Sequence, residues 1–311
     1  MPGARHTTLQ SCADSLGSGF QILSHFSPGT QVPTGGELGG KPFIIVPLTN
    51  DPQGSPTLRG NMNGNLKRRI LITGGCGKIG SYFVRFASDK YAIRVVDKLA
   101  WDPEKLGPFS GESLVLDLQN PEACRQACEG MDMVIHLAAD ASPEAGFEDS
   151  LLGNNIVATY NIFRAAQESH CQRLIFASSA HAVAAYPPDV QIKINMPVRP
   201  TNLYGVSKCF GEALAAYFAF NEGLPGIVLR IGAYVFPEHP EDLSAVEQDA
   251  YLSPDDFNDL LVKCLETPNI TFAIAHAISD NKCKRLDLTE TREILGYQPQ
   301  ADAFELFGSL R

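Results

Sequence analysis

The stretch Gly74-Gly75-Cys76-Gly77-Lys78-Ile79-Gly80 constrains this chain more than any other part of it. It follows directly on a short β-branched run, residues 69–73 (RILIT), and leads into a helical pattern over residues 81–88. Gly74, Gly77 and Gly80 form a GxxGxxG array in which each glycine has its own task. One lets the chain turn tightly, one lets backbone N–H groups approach an anion at a helix N-terminus, and one lets helix and strand pack closely. A glycine cluster alone only makes a turn. With a strand before it and a helix after it, the array reads as the entrance to a dinucleotide site.

The remainder of the chain continues this alternation. Residues 92–97 (AIRVVD), 114–116, 133–137 (MVIHL), 173–177 (RLIFA) and 227–230 read as further strands. Long amphipathic stretches at 151–168 and 203–220 read as helices, and Ser253-Pro254-Asp255-Asp256 is a helix start with an N-cap serine, proline first and acids in the first turn. Strands that are apolar nearly throughout, with helices between them, predict a parallel sheet covered on both faces. The fold class is therefore α/β: a Rossmann-type doubly wound sheet with a small C-terminal substrate-binding portion after about residue 230.

Residues 1–65 differ in texture. They are rich in Gly, Ser, Thr and Pro, and their one apolar run, 43–46, is closed by Pro42 and Pro47. We read them as a flexible or poorly packed extension to a domain spanning residues 66–311. The start lacks the apolar core of a secretory signal, and Asp14 and Glu37 weigh against a transit peptide. Over all 311 residues the formal net charge is -10, which excludes a general nucleic-acid binder, and no apolar run is long enough to span a bilayer. Eight cysteines in a chain of this length do not make a disulfide framework. Cys124 and Cys128 share a helix face but lack a second ligand pair at metal spacing, so no metal site is expected. A cytoplasmic homo-oligomer acting on a small molecule is the reading that follows.

Asp97 ends the second strand, where its carboxylate can accept hydrogen bonds from adenosine ribose hydroxyls and would repel a 2′-phosphate. NAD is accordingly expected over NADP. Asp117-Leu118 follows the third strand and is placed to border the adenine. His136-Leu137-Ala138-Ala139 closes the fourth with small residues that admit a cofactor closely, and His136 itself reads as a packed core histidine. Lys78, Ile79 and Ile231 complete the expected cofactor contacts.

Tyr204 and Lys208 stand one helical turn apart at the start of the long helix. A tyrosine with a pKa near 10 is a poor base at neutral pH. A neighbouring ammonium favours its phenolate and brings it toward the working range. Ser178 and Ser179 end the fifth strand at the ligand edge of the sheet, where one of them can hydrogen-bond a reacting hydroxyl.

Thr73-Gly74-xx-Gly77-xx-Gly80, His136-Leu137-Ala138-Ala139, Asn155, Ser178-Ser179 and Tyr204-xxx-Lys208 together resemble the extended branch of the short-chain dehydrogenase/reductases. Phe176 to His181 (FASSAH), Leu203 to Glu212 (LYGVSKCFGE), Leu229 to Gly232 (LRIG) and Ser253 to Phe257 (SPDDF) resemble its uronate dehydrogenase subgroup. The resemblance runs from about residue 69 to the C-terminus. It implies oxidation of a hexuronic acid at its anomeric carbon to an aldarolactone. Tyr204 would take the hydroxyl proton, Lys208 would hold the nicotinamide ribose and Ser179 would orient the hydroxyl. Asn155 would join the cofactor set, and Ser142, His181 and Arg230 would contact the sugar acid, Arg230 by a bidentate grip on its carboxylate. The chain departs from the subgroup at Ala180, where an asparagine is usual, and at Ser279-Asp280-Asn281-Lys282, where tryptophan-rich contacts are usual.

A nucleotide-sugar epimerase or dehydratase would use the same cofactor and Tyr/Lys pair. It needs a sizeable region to grip a nucleoside diphosphate, and only about 80 residues follow Arg230. A non-enzymatic NAD sensor on the same fold is a third reading, which the presence of both Tyr204 and Lys208 disfavours.

Overall fold

The structure is a computed structural model and describes residues 67–308. The expected extension over residues 1–65 lies outside the described residues. The chain runs through β1 (Arg69–Thr73), α1 (Lys78–Ala87), β2 (Ala92–Asp97), α2 (Pro103–Leu106), β3 (Glu112–Val115), α3 (Pro121–Cys128) and β4 (Met133–His136). A wide-wound helical segment, Phe147–Val157, passes directly into α4 (Ala158–Glu168), and β5 (Arg173–Ser179), α5 (Leu203–Asn221) and β6 (Gly226–Ile231) follow. The last part holds β7 (Ala233–Tyr234), β8 (Tyr251–Leu252), α6 (Pro254–Glu266), β9 (Phe272–Ala277), α7 (Thr289–Leu295) and α8 (Ala303–Phe307).

Seven of these strands form one sheet in the order β3-β2-β1-β4-β5-β6-β9, with every neighbouring pair parallel. This is the doubly wound sheet that the sequence predicts. Its strand order reverses between β1 and β4, so a crevice opens beyond their carboxyl ends. The two-residue side-chain period of each strand builds two cores. Ile70, Ile72, Val95, Ile135 and Ile175 meet Phe83 and Val84 of α1 and Leu260 and Leu261 of α6. Leu71, Val96, Val134, Leu174 and Phe176 face the other way, against Ile162 and Phe163 of α4 and Ala215 and Phe218 of α5. Each such side chain contributes about 1.5–3 kcal/mol by burial, so the sheet edge is held firmly by packing alone.

Local signals set the element ends. Ser253 caps α6 by accepting from Asp256 N at 3.1 Å, with Pro254 in the first turn. Asn202 caps α5 by accepting from Gly205 N at 2.7 Å, which fixes where Tyr204 enters that helix. Cys124 and Cys128 lie on the buried face of α3, and the seven described cysteines are all free thiols. Among the described residues, no helix is long and apolar enough to cross a membrane.

The sequence pattern does not announce β9. Its segment, FAIAHA, is half alanine, a residue that favours helix, and only pairing with β6 along its whole length makes it a strand. Beyond the main sheet, β7 pairs with β8, and Val235, Leu243 and Tyr251 pack with Ala303 of α8 into a small third cluster. Gly232 and Tyr234, at the start of this part, line the same cleft as Ser179 at the end of β5 and Ile231 at the end of β6.

Candidate active site

A cleft of about 680 Å³ occupies the point where the strand order reverses. Gly74, Gly77, Lys78, Ile79, Gly80, Asp97, Asp117, Leu118, Leu137, Ala138, Ala139, Ser179, Tyr204, Lys208 and Ile231 all line it. Residues expected from sequence on seven separate segments thus meet on one surface.

The glycine turn has the geometry that a dinucleotide phosphate needs. Gly74 has φ +68°, and a Cβ added there would lie 2.7 Å from Ala138 N. A Cβ on Gly80 would lie 2.5 Å from Gly74 O, so helix and turn close up only without side chains. Gly77 is the N-cap of α1 and supplies no side-chain acceptor, which leaves first-turn N–H groups of this ten-residue helix for an anion in the cleft. Asp97 at the end of β2 accepts from Cys76 N at 3.0 Å and Leu99 N at 3.1 Å, one bond on each carboxylate oxygen. Each oxygen keeps a lone pair for a ribose hydroxyl. Lys98 is turned aside, donating to Asn154 Oδ1 at 2.9 Å. The residues fit NAD.

At the other end of the cleft stand Ser179, Tyr204 and Lys208, all buried. Ser179 lines the cleft with Tyr204, and its hydroxyl accepts from His181 N at 3.1 Å. Lys208 Nζ lies 5.4 Å from the centre of the Tyr204 ring and donates to Ala177 O in β5 at 2.9 Å. The two serines are thereby distinguished, because Ser178 donates its hydroxyl to Glu212 at 2.6 Å, away from the phenol. Asn155 sits in the wide-wound segment, buried, with its amide donating to Asp140 O and Ser207 Oγ and its carbonyl accepting from Asp140 N. Ser207 in turn donates to Tyr204 O, so Asn155 ties the β4 loop to the first turn of α5.

The electrostatics differ from the sequence expectation in one respect. Burial pushes the Tyr204 phenol up, and Asp140 adds to this; the hydrogen bond from Ser179 opposes both. Burial likewise lowers Lys208 to about 8, so its ammonium is held against a desolvation cost. With the folded pKa below the ordinary 10.5, the unfolded chain binds more protons between those values, and stability rises with pH across that window. Lys208→Met removes the cost and one hydrogen bond, and is expected to stabilise the protein by about 1–2 kcal/mol at pH 7. The gain should shrink as the pH passes 8. Thermal unfolding of both proteins across that range checks this; a variant less stable at every pH would contradict it.

Four expected contacts require correction or relocation. Arg230 does not face the cleft as a carboxylate clamp. It is 2% exposed, and its guanidinium grips Glu212 of α5 through Nε at 2.9 Å and Nη2 at 2.8 Å. An arginine fully enclosed among strands needs a buried anion, and α5 supplies one. Asn155 is not a cleft residue either, because its side chain is spent on the loop and on Ser207. Ser142 is exposed on the β4 loop, donates to Glu144 at 3.1 Å and stays outside the cleft wall, which Asp140 and Ala141 form instead. His181 stands beside the site, its ring edge-on to Tyr204 with centroids 5.5 Å apart and its Nδ1 3.1 Å from Asn202 Nδ2. His136 is a core histidine, bonded to Thr73 Oγ1 at 2.7 Å and lowered to about 3 by burial. Asp140 and Tyr234 line the cleft without having been singled out. Asp140 could have been, since it directly follows the His-Leu-Ala-Ala strand end.

A glycine-lined crevice at the switch point of an all-parallel sheet, with a Ser/Tyr/Lys set at its far end, defines a Rossmann-type oxidoreductase. The model of the NAD dependent epimerase/dehydratase family matches residues 70–246. The chain is 35% identical to the NAD-dependent glucose-6-phosphate dehydrogenase of Haloferax volcanii, over 76% of this chain and 94% of that one. It is 33% identical to the L-arabinose 1-dehydrogenase (NAD(P)(+)) of the same organism, over 75% and 96%. Among solved structures it resembles a mutant uronate dehydrogenase from Agrobacterium tumefaciens complexed with NAD, with a TM-score of 0.70, 30% identity and coverage of 78% and 88%. The chain belongs to the NAD dependent epimerase/dehydratase family, in the extended short-chain dehydrogenase/reductase branch, and is an NAD-dependent dehydrogenase.

Proposed function

We propose that this protein oxidises the anomeric carbon of a free cyclic sugar to the corresponding lactone. The observation that carries the reading is the meeting of buried Ser179, Tyr204 and Lys208 on the wall of the glycine-lined cleft, with the Lys208 ammonium 5.4 Å from the centre of the Tyr204 ring. NAD, when bound along the glycine turn and Asp97, supplies the acceptor for the hydride that leaves the carbon. Tyr204 receives the hydroxyl proton as the carbon–oxygen double bond forms. Ser179 holds that hydroxyl against the phenol. Lys208 keeps positive charge next to the phenolate that accepts this proton and so becomes the neutral phenol. Gly74, Gly77, Lys78, Ile79 and Gly80 serve the phosphates, Asp97 the ribose, and Asp117 with Leu118 the adenine.

The relatives' names give three sugars that differ in charge: a sugar phosphate, a pentose and, for the Pseudomonas putida relative, a uronate. Dehydrogenation is what they share, and it is the chemistry that Tyr204 supports. The hexuronate implied by the sequence resemblance is one member of this set. The free thiols of the described residues support a reducing, cytoplasmic setting.

The test is formation of NADH from free sugars, beside nucleoside-diphosphate sugars as the alternative substrates. We expect turnover only with the free sugars. Interconversion of a nucleotide sugar without net NADH would establish an epimerase instead.

A further inference from the structure

We propose that Asp242 is a built-in competitor of the cofactor: it draws the Lys78 ammonium away from the diphosphate site, weakens dinucleotide binding and so lets NADH leave after each turnover. A net oxidation converts one NAD to NADH for every substrate molecule, so the cofactor must exchange in each cycle, and a cleft that held it too tightly would stall there. The glycine turn is already a strong anion site, because Gly77 supplies no side-chain acceptor at the N-terminus of α1. Lys78 is the first residue of that helix and lines the cleft, yet its Nζ lies 2.8 Å from Asp242 Oδ2. Among the described residues, the other lysines of the cleft wall are placed elsewhere. Lys208 donates to Ala177 O beside Tyr204. Lys98 adjoins Asp97 at the adenosine end, donates to Asn154 Oδ1 at 2.9 Å and lies 3.4 Å from Asp117. Lys78 is the one at the glycine turn.

The segment that carries Asp242 is fixed independently of this ion pair. Val235 and Leu243, on either side of it, are buried in the small cluster with Tyr251 and Ala303. Phe236 packs edge-on against Tyr82 of α1, with centroids 5.2 Å apart, and against Tyr234 of the cleft wall at 5.6 Å. Lys78 Nζ also lies 5.7 Å from the centre of the Phe236 ring, so two contacts draw it out toward this segment. Aromatic packing thus presents Asp242 to Lys78, and neutralising the carboxylate leaves that scaffold standing. The Lys78 hydrogen bond and charge hold the Asp242 carboxyl below its ordinary pKa, so it is ionised at neutral pH. Nearby acids have partners of their own: Glu241 lies 3.2 Å from His239 Nδ1, and Asp255 accepts from the Tyr82 hydroxyl at 2.9 Å. Lys78 and Asp242 are each 47% exposed, so the ammonium can leave its partner for a diphosphate oxygen at small cost. That exchange leaves Asp242 unpaired near a second anion, and the repulsion between them favours release.

Calorimetric titration of the full chain with NADH and with ADP-ribose tests this without turnover. Asp242→Asn is expected to tighten both ligands by about 2–5-fold, the factor to which the strength of an exposed ion pair converts. Stopped-flow displacement should show NADH leaving correspondingly more slowly. Lys78→Met should weaken both ligands several-fold. Glu241→Gln removes the same charge from the same segment but away from Lys78, and should change the affinities by less than about 1.5-fold. Unchanged affinity in Asp242→Asn overturns the proposal. Weakened affinity overturns it too, since the pair would then clamp the cofactor in place. An equal gain from Glu241→Gln would trace the effect to net charge alone, and Lys78→Met binding as tightly as the parent would remove Lys78 from the diphosphate; either result also overturns it. All of these outcomes leave the dehydrogenase reading intact, which NADH formation tests separately.

Discussion

Tyr204→Phe is expected to lower kcat by roughly 10²–10⁴-fold while leaving NAD affinity within a few-fold of the parent. The substitution deletes a single oxygen. It keeps the ring that packs against His181 and lies beside Lys208, so the cleft retains its shape. The lost oxygen is, in the proposed reaction, the group that takes the hydroxyl proton. Rapid-mixing kinetics with a saturating sugar, together with an NAD titration, separate the two quantities. A variant that keeps more than about a tenth of its kcat would show that another group moves the proton.

The second large effect concerns stability. Glu212 and Arg230 are 5% and 2% exposed, and Ser178 adds a hydrogen bond of 2.6 Å to the same carboxylate. Removing one charge strands the other in the core, so Arg230→Met or Glu212→Gln is expected to cost about 3–5 kcal/mol. Removing both at once should cost less than the sum of the singles by at least about 2 kcal/mol, because the stranded charge disappears. Denaturant titrations of the three variants measure this coupling. The same variants decide what Arg230 does. A substrate clamp would raise KM for sugar acids and leave folding unchanged, whereas the buried pair predicts lost stability first.

The glycine array, Asp97 and the Tyr204/Lys208 pair could be read from sequence because their chemistry depends on local spacing. A glycine turn and an i, i+4 pair create the same geometry wherever a strand and a helix place them. The position of Arg230 was equally legible, at the end of an apolar strand, but its partner was not. Glu212 lies on the same helix face as Tyr204 and Lys208, and only the packing of α5 on β5 and β6 shows that it turns toward Arg230. Ser142 and Asn155 are absent from the cleft wall for a related reason. Their hydroxyl and amide are committed by the path of an irregular loop, which has no periodicity to read. The direction of the Tyr204 shift was also hidden, since it is set by burial, a tertiary quantity, to which Asp140 adds. β9 was missed because alanines carry no strand signal of their own.

The central claim is that a carbon-bound hydrogen leaves a free sugar for NAD while Tyr204 takes the proton. A free sugar carrying deuterium at its anomeric carbon tests it most directly, with the cofactor and sugar products analysed by mass spectrometry. One deuterium in each NADH formed, matched by an equal amount of unlabelled lactone, is the predicted result. Deuterium retained in a sugar product, with no net NADH, would contradict it.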